Sequence, residues 1–297
     1  MKKKIYQCVT FLSKRIGSWF FVVIAWCIAS GYYFIFPKRV LVSADFYRVL
    51  FPEKSRFYHL WCSWRQFHSF IYIYLDRWLL QDFDAIRCIH EGWEYVEEVL
   101  YNKAGGIFLM SHMGNWEVGA YVLNRRRKEN PAIKLLLYLG TKRDEQIEQI
   151  QKDGLEKSGI KIIAVEQQGG SPFDIIEGIN FLRKGGFVSI AGDLLWSDVQ
   201  RSVKVRFLGH QALLPEAPFA LALLSGAPIM VSFAIRSGTA KYRCITFPPT
   251  YITASSRNDR QEAIMQAAQG YADILEKMIR RYPYQWYHFE PFIRPIR

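Results

Sequence analysis

Residues 111–120, SHMGNWEVGA, place an imidazole at His112 and a carboxylate at Glu117, with a glycine and an asparagine between them. An acid bonded to one ring nitrogen of a histidine fixes the tautomer and makes the other nitrogen a better base. That arrangement takes a proton from a hydroxyl. A helix does not bring these two side chains together, because five residues at about 100° each leave them about 140° out of phase. A strand–turn–helix does. The apolar run GIFLM stops just before Ser111, Gly114 permits a sharp turn, and Asn115 is a good N-cap for a helix whose first turn holds Glu117. The same spacing also suits a satisfied strand-end histidine and an acid drawn to a helix N-terminus.

The elements that must position the pair alternate along the chain. WEYVEEVLYN reads as a helix, GGIFLM as a buried strand and WEVGAYVLNRRR as a helix. AIKLLLYLG is a second strand, followed by a polar helix over RDEQIEQIQKDGLEKSG that breaks near Gly154. IKIIAV is a third strand. SPFDIIEGINFLRKGG is a helix with a Ser-Pro start and a Gly-Gly stop, and FVSIAGD is a fourth strand. In RSVKVRFLG, Val203, Val205 and Phe207 alternate with Lys204 and Arg206, the mark of a half-exposed strand. A helix over PEAPFALALLSG, strands over APIMVSFAIR and YRCITFPP, and a long helix ending at Pro283 complete the body. Strands alternating with helices predict an α/β fold with a mostly parallel central sheet flanked by helices. In such sheets ligands bind beyond the C-terminal strand ends, where His112 and Asp193 fall.

Composition adds a membrane. The 297 residues are half hydrophobic and 16% aromatic, with a net charge of +12. Up to Arg56 the chain carries ten Lys/Arg against two acids, Asp45 and Glu53, so most of the excess lies in its first fifth. A basic region of this kind points to anionic lipid headgroups, nucleic acid or an acidic protein. The neighbouring apolar segment selects lipid and makes nucleic acid an unexpected partner. Residues 16–36 hold no charge and span about 31 Å as a helix, close to the hydrocarbon core. Basic residues on both flanks leave a spanning helix and an in-plane anchor open, beside a buried core helix. Residues 57–81 read as an aromatic, amphipathic helix in which His59 and His68 are satisfied or interfacial. The expected organisation is a basic, hydrophobic membrane anchor over residues 1–40 and one α/β domain over 41–297. Five scattered cysteines without a C-x-x-C pair predict reduced thiols in a cytoplasmic compartment rather than a disulfide framework or a zinc site.

SHMGNWEVGA resembles the H-x4-(D/E) motif of the lipid A biosynthesis acyltransferases, the lauroyl/myristoyl transferase family of bacterial inner membranes. Further blocks agree in order. KRVLV follows the hydrophobic helix; AGDLLWSDVQRSVKVRFLGHQALLPEAPFALALLSGAPIM resembles the family's second block; YPYQWYHFEPF resembles its Pro-x-Gln-Trp segment. The resemblance implies a glycerolipid-acyltransferase-like fold and an acyl carrier protein thioester as donor. It also implies a lipid hydroxyl as acceptor and an active site at the cytoplasmic face of the inner membrane, without metal, cofactor or covalent acyl-enzyme. It makes His112 the general base and Glu117 its orienting partner. Asp193, on the Gly-Asp position, binds or orients substrate, or closes a strand-end turn. Lys142 and Arg143 hold phosphate on either substrate, or form a solvated loop pair. Asn115 joins the substrate-binding set. Lys204 and Arg206 either meet a phosphorylated glycolipid or form an ordinary solvated strand face. The RRRK run at 125–128 is an exposed patch suited to an acidic carrier.

Three departures leave the acceptor open: Leu194 after Gly-Asp, ADFYRVL in place of the usual Asn-Leu-Arg run, and no Arg-Arg after Gln-Trp. Ornithine-type, glycolipid or aryl-polyene lipids are alternatives to lipid A. A membrane-bound acyl hydrolase and a basic membrane-tethered binding module are rival functions. The absence of G-x-S-x-G and H-E-x-x-H counts against the familiar serine and zinc hydrolases.

Overall fold

A computed structural model describes residues 18–79, 86–141, 160–166, 172–195 and 200–294. The chain forms two compact units, Met1–Arg87 with Tyr282–Pro291, and Cys88–Arg281 with Phe292–Arg297.

The first unit is helical, with α1 (Ser18–Ile35), α2 (Pro37–Leu50) and α3 (Arg56–Leu79). Pro37 sets the start of α2, where a missing N–H costs nothing and the ring pre-forms φ. The sequence pattern predicts no element over that stretch. Its buried side packs Val40, Ser43, Tyr47 and Leu50. The returning C-terminal segment is tied in by hydrogen bonds: the Tyr47 hydroxyl donates to the Pro283 carbonyl, and Gln66 donates to that of Trp286. Trp286 and Tyr47 are fully buried. The expected amphipathic helix over residues 57–81 is α3. Its two histidines are satisfied: His59 Nε2 bonds the Phe51 carbonyl, and His68 Nδ1 bonds that of Trp64. Among the described residues no helix is long and apolar enough to cross a membrane.

The second unit carries the expected α/β alternation. Its strands are β1 (Arg87–Glu91), β2 (Gly106–Met110), β3 (Leu135–Thr141), β4 (Lys161–Glu166), β5 (Phe187–Ala191), β6 (Ser202–Phe207), β7 (His210–Pro215), β8 (Ile229–Gly238), β9 (Lys241–Thr246) and β10 (Ile293–Arg294). Its helices are α4 (Trp93–Tyr101), α5 (Trp116–Glu129), α6 (Pro172–Arg183), α7 (Ala217–Ser225) and α8 (Arg260–Arg281). Seven strands form one sheet in the order β1-β9-β8-β2-β5-β3-β4. The β8–β2–β5–β3–β4 pairings are parallel and β8–β9 is antiparallel. The sheet is therefore mostly parallel, as the alternation predicts. The polar helix expected between β3 and β4, and Lys142 and Arg143, lie outside the described residues.

β6, β7 and β10 form a second, antiparallel sheet of three strands. The alternation in RSVKVRFLG is real, with Val203, Val205 and Phe207 buried and Lys204 and Arg206 exposed. The β6 backbone edge is capped by a side chain. Gln269 of α8 accepts from the Arg206 amide and donates to its carbonyl, substituting for a neighbouring strand. Core packing on one face of the large sheet joins Val96 and Val99 of α4, Ala120 and Leu123 of α5, and Phe108, Leu137, Phe187 and Met230 from the strands.

Candidate active site

β2 and β5 run parallel in register, with Met110 opposite Ala191. Two residues further along each chain stand His112 and Asp193, so the register alone sets them side by side beyond the strand ends. The Gly192 amide donates to the Met110 carbonyl at 2.8 Å and extends the pairing to that point. Asp193 then holds His112 twice. One carboxylate oxygen accepts from the His112 backbone amide at 2.8 Å, and the other lies 2.9 Å from Nδ1. An ionised carboxylate only accepts, so Nδ1 carries the proton in this contact. The Asp193 side chain is fully buried, whereas that of His112 is 32% exposed. A dry acid thus backs an imidazole whose ring reaches solvent.

The turn after His112 is pinned to the other neighbouring strand. Gly114 has φ of +71°, and a Cβ there would lie 2.1 Å from the Ala234 carbonyl oxygen. The Asn115 amide donates to that oxygen at 2.8 Å. Glycine is needed here both for the left-handed backbone and for the close approach. Asn115 is the N-cap of α5, its side chain accepting from the Glu117 amide. Its other end donates to the Tyr242 hydroxyl. The polar groups of Asn115 are thus engaged within the protein, and the residue is buried.

Glu117 is buried in the first turn of α5, where the helix amides favour a negative charge. Its charge, after burial itself, raises the Tyr121 hydroxyl above its ordinary value. The sequence spacing points to Glu117 as an acid that orients His112. The strand register adds a second acid, Asp193, eighty-one residues away, on Nδ1. Behind the pair, Tyr271 of α8 donates to the Met110 carbonyl. Burial, then the charge of Asp193, drives its pKa well upward, so it is a neutral donor.

An apolar pocket adjoins the same strand end and opens to solvent. Ser111 and Met113, on either side of His112 in the chain, line it with Phe108, Met110, Trp116 and Gly119. The far wall, from β1, α4 and β9, includes His90, Trp93, Cys244 and Thr246. The sequence anticipates the α4 and β9 parts of that wall but not β1, which brings His90. Its only signal was the weak alternation in RCIHE. Glu91 of β1 is held by Arg243 of β9, whose Nε donates at 2.8 Å. Burial, then Arg126, lowers the pKa of His90.

The basic residues sort differently. Arg125 and Arg126 both pair with Glu129, Arg126 also lies 5.0 Å over the Trp93 ring, and Arg127 donates to Asn124. Lys204 and Arg206 project from β6 into solvent. A base braced by a buried acid beside an apolar pocket can deprotonate an alcohol while an alkyl chain is held nearby. No curated protein matches the chain closely enough for comparison. The family model of the bacterial lipid A biosynthesis acyltransferases matches residues 62–294, which take in the motif, both strand ends and the pocket, and the chain belongs to that family of lipid-acylating transferases.

Proposed function

We propose that this acyltransferase moves a fatty acyl chain from an acyl carrier protein thioester to a hydroxyl of a lipid A-type or other envelope lipid. It works at the cytoplasmic face of the inner membrane. His112 Nε2 takes the proton as the acceptor oxygen attacks the thioester carbonyl. Asp193 holds Nδ1–H and stabilises the imidazolium that forms. The C–S bond then breaks, and the departing thiolate recovers the proton from Nε2. The carbonyl oxygen regains its double bond as the ester is released. The apolar pocket takes the acyl chain. Glu117, on the motif's acid position, adds a second negative charge at the N-terminal end of α5. The observation that carries the reading is the doubly bonded, buried Asp193 against a part-exposed His112 in a chain of this family.

The first unit supports the membrane setting. Trp19, Ile28, Phe34 and Ile35 of α1 are exposed, and the exposed Lys38 and Arg39 follow them. Apolar side chains beside cations suit an anionic lipid surface. The RRRK run, with Arg125 and Lys128 exposed, complements an acidic carrier, and Lys142 and Arg143 are assigned to substrate phosphate. A hydrolase is the second reading, because the partial exposure of His112 admits water.

The test incubates the purified protein with acyl carrier protein thioesters and a panel of envelope lipids, alongside His112→Ala, Asp193→Asn and Glu117→Ala. The expected result is acyl transfer to one lipid class that His112→Ala abolishes while vesicle binding persists. Fatty acid release unaffected by any acceptor favours the hydrolase. Undiminished transfer by His112→Ala removes the mechanism.

A further inference from the structure

The edge of the large sheet carries two thiols that the acyl-transfer chemistry leaves idle. β1 and β9 are hydrogen-bonded neighbours. Cys88 of β1 and Cys244 of β9 are both free thiols, half-buried, and hydrogen-bonded to each other. A thiol–thiol hydrogen bond between two neighbouring strands brings the sulfurs within reach of each other, the condition for a disulfide to close. Cys244 is also part of the wall of the apolar pocket. We propose that Cys88 and Cys244 form a reversible dithiol–disulfide site that low-molecular-weight disulfides close and thiols reopen. When closed, it staples the edge strand β1 onto β9 at the wall of that pocket.

The reaction runs in two exchanges. The Cys88 thiolate attacks one sulfur of the oxidant, whose S–S bond breaks to release one thiol and leave a mixed disulfide on Cys88. Cys244 then loses its proton to solvent and attacks the Cys88 sulfur, releasing the second thiol. The two cysteines give up two hydrogens and the oxidant is reduced to two thiols. The order follows from the surroundings, since the thiolate is the nucleophile. A hydrogen bond with Cys244, and beyond it the charge of Arg125, holds the Cys88 thiol below its ordinary pKa against the opposing effect of burial. The same hydrogen bond and burial push the Cys244 thiol upward. Cys88 therefore attacks first and Cys244 resolves.

The purified protein is treated with oxidised glutathione, its remaining thiols are alkylated, and its peptides are mapped by mass spectrometry. A peptide linking residues 88 and 244, lighter by two hydrogens and lost on adding dithiothreitol, is the expected product. The oxidised form is expected to melt higher than the reduced form. Cys244→Ser is expected to trap glutathione on Cys88, and Cys88→Ser to give no linked peptide. Wild-type protein that keeps glutathione on Cys88, or in which both thiols stay open to alkylation, overturns the proposal without help from either variant.

Discussion

His68 in the helical unit and His112 in the α/β unit use the same side chain in opposite ways. His68 is buried, with Nδ1 on the Trp64 carbonyl and Nε2 on the Ser30 hydroxyl. Its ring lies 4.4 Å from that of Trp26 and 4.0 Å from that of Trp64. Both nitrogens are bonded and two indole rings pack against the imidazole. His112 has its Nδ1 braced by a carboxylate with no exposure, while a third of its own side chain reaches solvent. A histidine becomes available for chemistry when a buried partner braces its ring while part of that ring still reaches solvent. Neutral partners on α1 and α3 lock His68, whereas the partner of His112 is a buried carboxylate beyond a neighbouring strand.

The largest expected effects separate the two. His112→Ala should lower acyl transfer about 10²–10⁴-fold, the usual worth of a general base, with little change in melting temperature. His68→Ala should do the reverse, costing about 2 kcal/mol of stability through lost buried hydrogen bonds and ring packing, with kcat near wild type in the folded protein. Paired denaturation curves and initial rates check both. If both variants lose activity in proportion to folded protein, the contrast fails. Asp193→Asn comes next. An amide there can turn its NH2 towards Nδ1 and select the wrong tautomer, so kcat should fall steeply, by up to about 10⁴-fold. Glu117→Gln, measured beside it, ranks the two acids directly, and the larger loss is expected at Asp193.

The histidine was legible in the sequence because everything that places it is local: an apolar strand, a turn glycine and an N-cap asparagine within four residues. The alternation of strands and helices was legible for the same reason, since hydrophobic period is written in short windows. The role of Asp193 was not, because it depends on which strands lie side by side. β5 falls between β2 and β3 in the sheet although it follows both in the chain, and no local pattern encodes that insertion. β7 escaped because HQALLP lacks alternation, and α2 because its start at Pro37 was absorbed into the flank of the apolar segment. The partner strand of β6 was lost with β7, and the part of the pocket wall that holds His90 with β1.

The comparison also has a backbone form. Gly114→Ala forces a Cβ to within 2.1 Å of the Ala234 carbonyl oxygen at a φ of +71°. The strain and the shift of β8 together should cost about 3 kcal/mol and displace His112, so activity and stability fall together. Gly119, three residues into α5, has the opposite surroundings, with nothing within 4 Å of a built Cβ although it lines the pocket. Gly119→Ala should therefore raise stability by about 0.5–1 kcal/mol, the ordinary gain in a helix interior. Gly119→Leu should reach into the pocket and shift activity towards shorter acyl thioesters. A uniform loss across chain lengths would show that the chain lies elsewhere.

The smallest effect concerns a third histidine. His90 stands in the pocket wall beside Trp93, and burial, then the charge of Arg126, lowers its pKa. A histidine whose folded pKa is depressed is neutral in the native protein while the unfolded chain still titrates near pH 6.5. As pH falls through that value the unfolded state binds the extra proton and gains on the native one. The fall in stability begins near pH 6.5 and levels off only below the lowered folded pKa. His90→Gln removes this contribution, so wild type should lose more melting temperature than the variant between pH 7.5 and pH 5.5. Parallel losses would mean that the His90 ring is as free to take a proton in the fold as out of it. His68 and His112 would then be the two extremes with no intermediate between them.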